Sequence, residues 1–102
     1  MILLEIQLRE NLSPAQLPEL LRVVEAEVPA GGTESVVLSG RLPVWAFAAL
    51  AHTYHPRPWV GTFDPRLGGA VVVARHTPDA PAVGAVISVI STALAQKVDV
   101  VF

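Results

Sequence analysis

The sequence predicts a single small α/β domain of Rossmann-like character, in which helices pack on a mostly parallel sheet. Three observations carry this. Strand-like and helix-like segments alternate in the order βαβαββαβ, which favours parallel strands joined by crossover helices. The chain is 102 residues long, enough for one domain over 1–102 and little more. It is 52% hydrophobic and only 16% charged, a balance that favours a subunit burying surface against a copy of itself, although a rich core alone would read the same way.

The elements follow in order. Ile2 to Leu8 is apolar apart from Glu5 and Gln7 and reads as a first strand. Ser13, Pro14 and Gln16 form a helix-start signal with a capping-box pattern. Pro18 interrupts it, so the regular helix is placed from Pro18 onward, with Leu17, Leu20, Leu21 and Val24 as one apolar stripe. Pro29 to Thr33 is a loop. Ser35 to Leu38 is a short buried strand, and Ser39-Gly40-Arg41 a tight turn. Pro43 opens a second helix carrying Val44, Phe47, Leu50, Ala51 and Tyr54, which His55-Pro56-Arg57-Pro58 stops. Trp59 to Phe63 and Ala70 to Ala74 are strands joined through Asp64 to Gly69. Thr77 to Pro81 is a loop. Val83, Ile87, Ile90 and Leu94 fit a third helix, and Val98 to Phe102 a final strand. There is no repeat and no G-x-G-x-x-G, so nothing points to a dinucleotide.

Composition excludes several function classes. The longest uninterrupted apolar run, Val44 to Ala51, is far short of the roughly 20 residues of a helical membrane span. The first residues lack the basic and cleavage features of a secretory leader, and cysteine is absent, so a cytoplasmic protein without disulfides or thiolate-held zinc is expected. A net charge of −2 speaks against a general nucleic-acid coat, and no DNA partner is expected. The distribution is more telling. Six of the nine acids lie between Glu5 and Glu34, whereas Ser35 to Thr77 holds Arg41, Arg57, Arg66 and Arg75 against Asp64 alone. That segment also holds His52, His55 and His76. Arginine suits forked contacts to phosphate, although solvated surface arginines would read the same way.

Three clusters could carry chemistry. Ser39-Gly40-Arg41 stands between a strand and a helix, where free backbone N–H groups can bind phosphate; the same turn can simply permit a tight bend. His52 and His55 lie three apart on one helix face, suited to proton transfer or metal, or simply to the negative end of the helix dipole. Asp64-Pro65-Arg66 follows a central strand, where α/β proteins place ligands; an Asx-Pro turn uses the same residues.

Taken together, Ser39-Gly40-Arg41-Leu42-Pro43-Val44-Trp45, Ala51-His52-Thr53-Tyr54-His55 and Asp64-Pro65-Arg66-Leu67-Gly68 closely resemble the Csx-three family of small type III CRISPR-associated proteins, also called CRISPR ring nuclease three. The resemblance spans Val36 to His76. It implies a fold related to CRISPR-associated Rossmann (CARF) domains, and a homodimeric unit that forms a tetramer or higher with ligand. It implies a ligand, cyclic tetra-adenylate, and manganese-dependent opening of that ring, which would silence type III effectors. It places Ser39, Gly40, Arg41 and Arg66 in ligand binding and His55, Asp64 and Arg66 in catalysis. Asp64, His55 and His76 become the manganese (Mn2+) ligands, with His52 secondary. A cyclic oligoadenylate sink without catalysis and a 3′ exoribonuclease on linear oligoadenylate RNA are the rival expectations.

The topology carries one further expectation. A crossover helix runs antiparallel to the strands it joins, so Arg41 and Asp64 fall at the carboxyl edge of the sheet and His55 at the amino edge. A site using all of them would be composed across subunits.

Overall fold

In a computed structural model of the chain, residues 1–89 and 94–102 are described. The alternating pattern becomes β1 (Ile2–Leu8), a 3-10 turn (Pro14–Gln16), α1 (Leu17–Glu27), β2 (Val36–Gly40), α2 (Val44–Thr53), β3 (Trp59–Asp64), β4 (Gly69–Arg75), β5 (Val86–Ile87) and β6 (Leu94–Val100). The strands form one six-stranded mixed sheet in the order β5-β4-β3-β2-β1-β6. β6, β1, β2 and β3 are parallel; β4 and β5 add as antiparallel neighbours.

Successive side chains of a strand point to opposite faces, and the core divides accordingly. Leu4, Ile6, Val36, Leu38, Val60, Val98 and Val100 face α1 and α2, whose Leu20, Val24, Ala46, Leu50 and Tyr54 complete the larger core. Val37, Trp59, Ala70 and Val72 face the other way, where Ala80, Ala85 and Val89 of the segment after β4 cover them. Both helices therefore lie on one face. The steps β1 to β2 and β2 to β3 move in the same direction along the sheet, and right-handed crossovers then deliver their helices to the same side. A doubly wound Rossmann sheet carries helices on both faces; among the described residues, the observed frame is an α/β sheet with helices on one.

Local departures from the sequence expectation have physical causes. The Ser13 start signal builds the 3-10 turn, with the Ser13 N–H donating to Gln16 Oε1 at 2.9 Å. α1 then begins at Leu17, one residue before Pro18, whose missing N–H falls among the first-turn donors that have no helical partner. Val44, expected in the apolar stripe of α2, is 83% exposed; the buried positions are Ala46, Leu50 and Tyr54, spaced four apart. Of the expected third helix, residues 90–93, Ile90 among them, lie outside the described residues. Its described positions are not helical: Val83-Gly84 is a turn with Gly84 at φ +94°, Val86–Ile87 pairs with β4, and Leu94 opens β6. Val83, Val86, Ile87 and Val89 are β-branched and prefer extended backbone. β6 starts four residues earlier than expected because it pairs with all of β1, from Ile2 opposite Leu94 to Leu8 opposite Val100.

Arg57 fixes the loop between α1 and β2. It is 4% exposed. Its Nη1 donates to the Glu34 carbonyl at 3.1 Å and its Nη2 to the Pro29 carbonyl at 2.6 Å. Gly32 passes so close to the guanidinium that a Cβ there would overlap it. Next to it, the buried Tyr54 hydroxyl donates to the Val28 carbonyl at 2.7 Å; burial pushes its pKa above the ordinary tyrosine range. Among the described residues, no helix is long and apolar enough to cross a membrane.

Candidate functional site

The parallel strands β1, β2 and β3 all end at one edge of the sheet. Leu38 pairs with Thr62, so Ser39 to Arg41 and Phe63 to Arg66 leave the sheet at that edge. Gly40 has φ +141° and sits opposite Ile6, where a Cβ would meet the Ile6 carbonyl. Its glycine freedom is thus used by the neighbouring strand rather than kept for a ligand. Two concavities open beside it. One of ≈ 380 Å³ is lined by Glu5 to Leu8 and by Ser39, Gly40 and Arg41. The other, of ≈ 670 Å³, lies between the segment after β1 and the start of α2 and is lined by Arg9, Asn11, Arg41 and Trp45 among others. Arg41 borders both.

Asp64 closes the turn between β3 and β4. Its Oδ1 accepts the Arg66 N–H at 2.9 Å, and its carboxylate pairs with the Arg66 guanidinium at 3.2 Å. The Leu67 N–H donates to the Asp64 carbonyl. The Arg66 side chain first, then its N–H, bond the ionised carboxylate and hold the Asp64 carboxyl below the usual carboxylate range. Arg66 itself is almost wholly exposed, at 89% of its side chain. Asp64 and Arg66 are therefore both a turn and an accessible charged pair. A smaller apolar hollow formed by Val44, Phe47, Phe63 and Val71 adjoins them.

The histidines gather at the opposite edge. His52 and His55 sit on one side of the end of α2, with ring centroids 5.7 Å apart. His76 follows β4, which runs antiparallel to β3 and so returns the chain to the amino edge. The His76 N–H donates to the Pro58 carbonyl at 2.8 Å, and its ring lies 6.2 Å from that of His55. All three imidazoles are exposed.

Within one chain the structure thus brings His52, His55 and His76 together, and places Ser39 with Arg41, and Asp64 with Arg66, along the opposite edge of the sheet, in separate hollows. It does not bring the two groups together: β3 stands between them, and its length is roughly 16 Å at about 3.3 Å per residue. The expected manganese set of Asp64, His55 and His76 is consequently not assembled in a single chain, because α2 and β4 deliver imidazoles to the edge that β3 leaves behind. Among the described residues, no three His, Cys, Asp or Glu side chains converge to hold a metal. Two arginines also prove structural. Arg57 is buried, and the Arg75 guanidinium donates to the Thr77 and Pro78 carbonyls. The sequence reading assigned no role to Arg9, Asn11 or Trp45; Trp45 at the start of α2, beside Arg41, is the one signal that pointed there.

A profile of the family described as CRISPR-associated protein (Cas_csx3) matches residues 5–88, a stretch that contains every one of these groups. The chain belongs to this CRISPR-associated family. It is also 44% identical over 77 residues to an uncharacterized protein of Aquifex aeolicus (strain VF5), an overlap covering 76% of this chain and 68% of the relative. Family membership agrees with the motif resemblance of Val36 to His76.

Proposed function

We propose that the protein is a cytoplasmic ring nuclease that binds cyclic tetra-adenylate and cleaves it at a site shared between subunits, switching off type III CRISPR effectors. The observation that carries this reading is the division of one motif set between two sheet edges. Ser39 and Arg41 line concavities at the carboxyl edge, while exposed imidazoles cluster at the amino edge. A head-to-tail contact between subunits would bring one edge against the other. A relationship to CARF domains belongs to the same proposal: the parallel run β1-β2-β3 supports it, and the one-sided helices depart from it.

In this reading Arg41 and Arg66 neutralise phosphodiester charge and Ser39 adds a hydroxyl donor. Asp64 holds Arg66 by its paired oxygens, which fixes the guanidinium toward the ligand. His55 of the facing subunit moves the proton: it takes one from the attacking hydroxyl or gives one to the leaving ribose oxygen, as an imidazole can do near neutral pH. The attacking group is a water or a ribose 2′-hydroxyl; in either case one P–O bond forms and one breaks, opening the ring. A manganese site would need donors from two subunits, Asp64 from one and His55 with His76 from the other, and would supply charge neutralisation at the phosphate.

The test is direct. Purified protein is incubated with cyclic tetra-adenylate, with and without manganese, beside linear oligoadenylate and the His55→Ala variant, and products are resolved by chromatography. Conversion of the ring to shorter linear products, lost in His55→Ala, is expected. A ring that stays intact yet co-elutes with the protein would instead indicate a sink, and degradation of linear oligoadenylate alone an exoribonuclease.

A further inference from the structure

The ≈ 670 Å³ concavity extends beyond the motif residues. It is walled on one side by Arg9 and Asn11, after β1, and on the other by Arg41 and Trp45 at the start of α2. The absence of side-chain partners distinguishes these arginines from the others. Arg22 is paired with Glu19, Arg57 with the Pro29 and Glu34 carbonyls, Arg66 with Asp64, and Arg75 with the Thr77 and Pro78 carbonyls. Among the described residues, Arg9 and Arg41 have no side-chain partner, and both are exposed. Two unpaired guanidinium groups and a half-buried indole thus share one concavity. Guanidinium groups suit a phosphodiester, and an aromatic face suits a base.

We propose that this concavity is a nucleotide subsite, in which Trp45 stacks on a purine base and Arg9 binds the phosphodiester next to the one held by Arg41. Asn11 is placed to read the base edge, since an Asn amide can bond adenine at N6 and N7 together. Glu10, on the same rim, offers an acceptor for the exocyclic amine and disfavours a ligand with a carbonyl there. This rests on the ring nuclease reading for the identity of the ligand, and on the concavity itself for the residues.

The experiment uses the full chain carrying His55→Ala, so that the ring is not consumed, with two probes: cyclic tetra-adenylate and linear diadenylate. Binding is measured by calorimetry over a range of salt, and the indole N–H of Trp45 is followed by NMR. The subsite predicts that either probe shifts the Trp45 indole signal. It predicts that Trp45→Ala weakens binding about tenfold or more, while Trp45→Phe keeps most of the affinity. Arg9→Ala should weaken binding and flatten the salt dependence by about 0.7 in log–log slope. Tight ring binding that is equal in the parent, Trp45→Ala and Arg9→Ala would overturn the subsite and leave the ring nuclease reading standing. A diadenylate shift at Trp45 with no binding of the ring would support the subsite and overturn that reading. No shift with either probe would overturn the subsite.

Discussion

His55 and His76 stand 21 positions apart in the chain, yet their rings lie 6.2 Å apart, on the edge of the sheet opposite Asp64. The pairing arises because α2 and β4 run against β3 from either side, so both reach the amino edge as β3 begins. The Pro58 carbonyl holds the His76 backbone beside the end of α2. Any chemistry that joins these imidazoles to Asp64 must then join two chains.

Ser39, Arg41 and His55 should separate in kinetics. If Ser39 and Arg41 hold the ring as proposed, Ser39→Ala and Arg41→Ala raise the dissociation constant for cyclic tetra-adenylate about tenfold or more, with a smaller fall in single-turnover rate. His55→Ala should leave binding within a few-fold and lower the rate by about 10²-fold or more. Single-turnover assays with direct binding measurements check the split.

The Asp64 carboxyl should titrate below a free aspartate because Arg66 stabilises its charged form. Its folded pKa is depressed, so its contribution to stability is complete above the unfolded value of about 3.9 and fades as pH falls through the folded one. NMR of the Asp64 carboxyl carbon is expected to give a low midpoint that rises toward the ordinary value in Arg66→Ala. An unchanged midpoint in that variant would show that Arg66 is not the cause.

Arg57 should matter for folding rather than for ligand. Arg57→Ala strips donors from the Pro29 and Glu34 carbonyls and is expected to cost about 3 kcal/mol, lowering Tm by about 12–24 °C. Gly32→Ala should act on the same contact, because the new methyl group meets the guanidinium. Thermal unfolding of both variants checks this.

Much of this was legible in the sequence. The strands β1 to β4 and both helices follow from apolar periodicity and from Pro and Gly punctuation, and the opposition of His55 to Asp64 follows from the antiparallel course of a crossover helix. What was hidden depended on tertiary partners. Arg57 reads as a surface cation because its carbonyl partners lie more than 20 residues away in sequence. Gly40 reads as a ligand-facing glycine because only the pairing with Ile6 shows what fills the space. Val83, Ile87, Ile90 and Leu94 match helical spacing, but the β-branched Val86 and Ile87 add a strand to an edge that periodicity alone does not reveal. Arg9 and Asn11 lie outside the family motifs and line a concavity with Arg41 and Trp45 only because β1 ends beside the start of α2.

The shared site is tested most directly by mixing two inactive variants. His55→Ala and Asp64→Ala are purified separately, combined at equal concentration, and allowed to exchange subunits, with exchange verified by native mass spectrometry. A site that draws His55 from one subunit and Asp64 from another predicts recovery of ring cleavage to about a quarter of the parent rate, the share of intact sites at random mixing. A verified mixture that stays as inactive as its components would contradict the shared site.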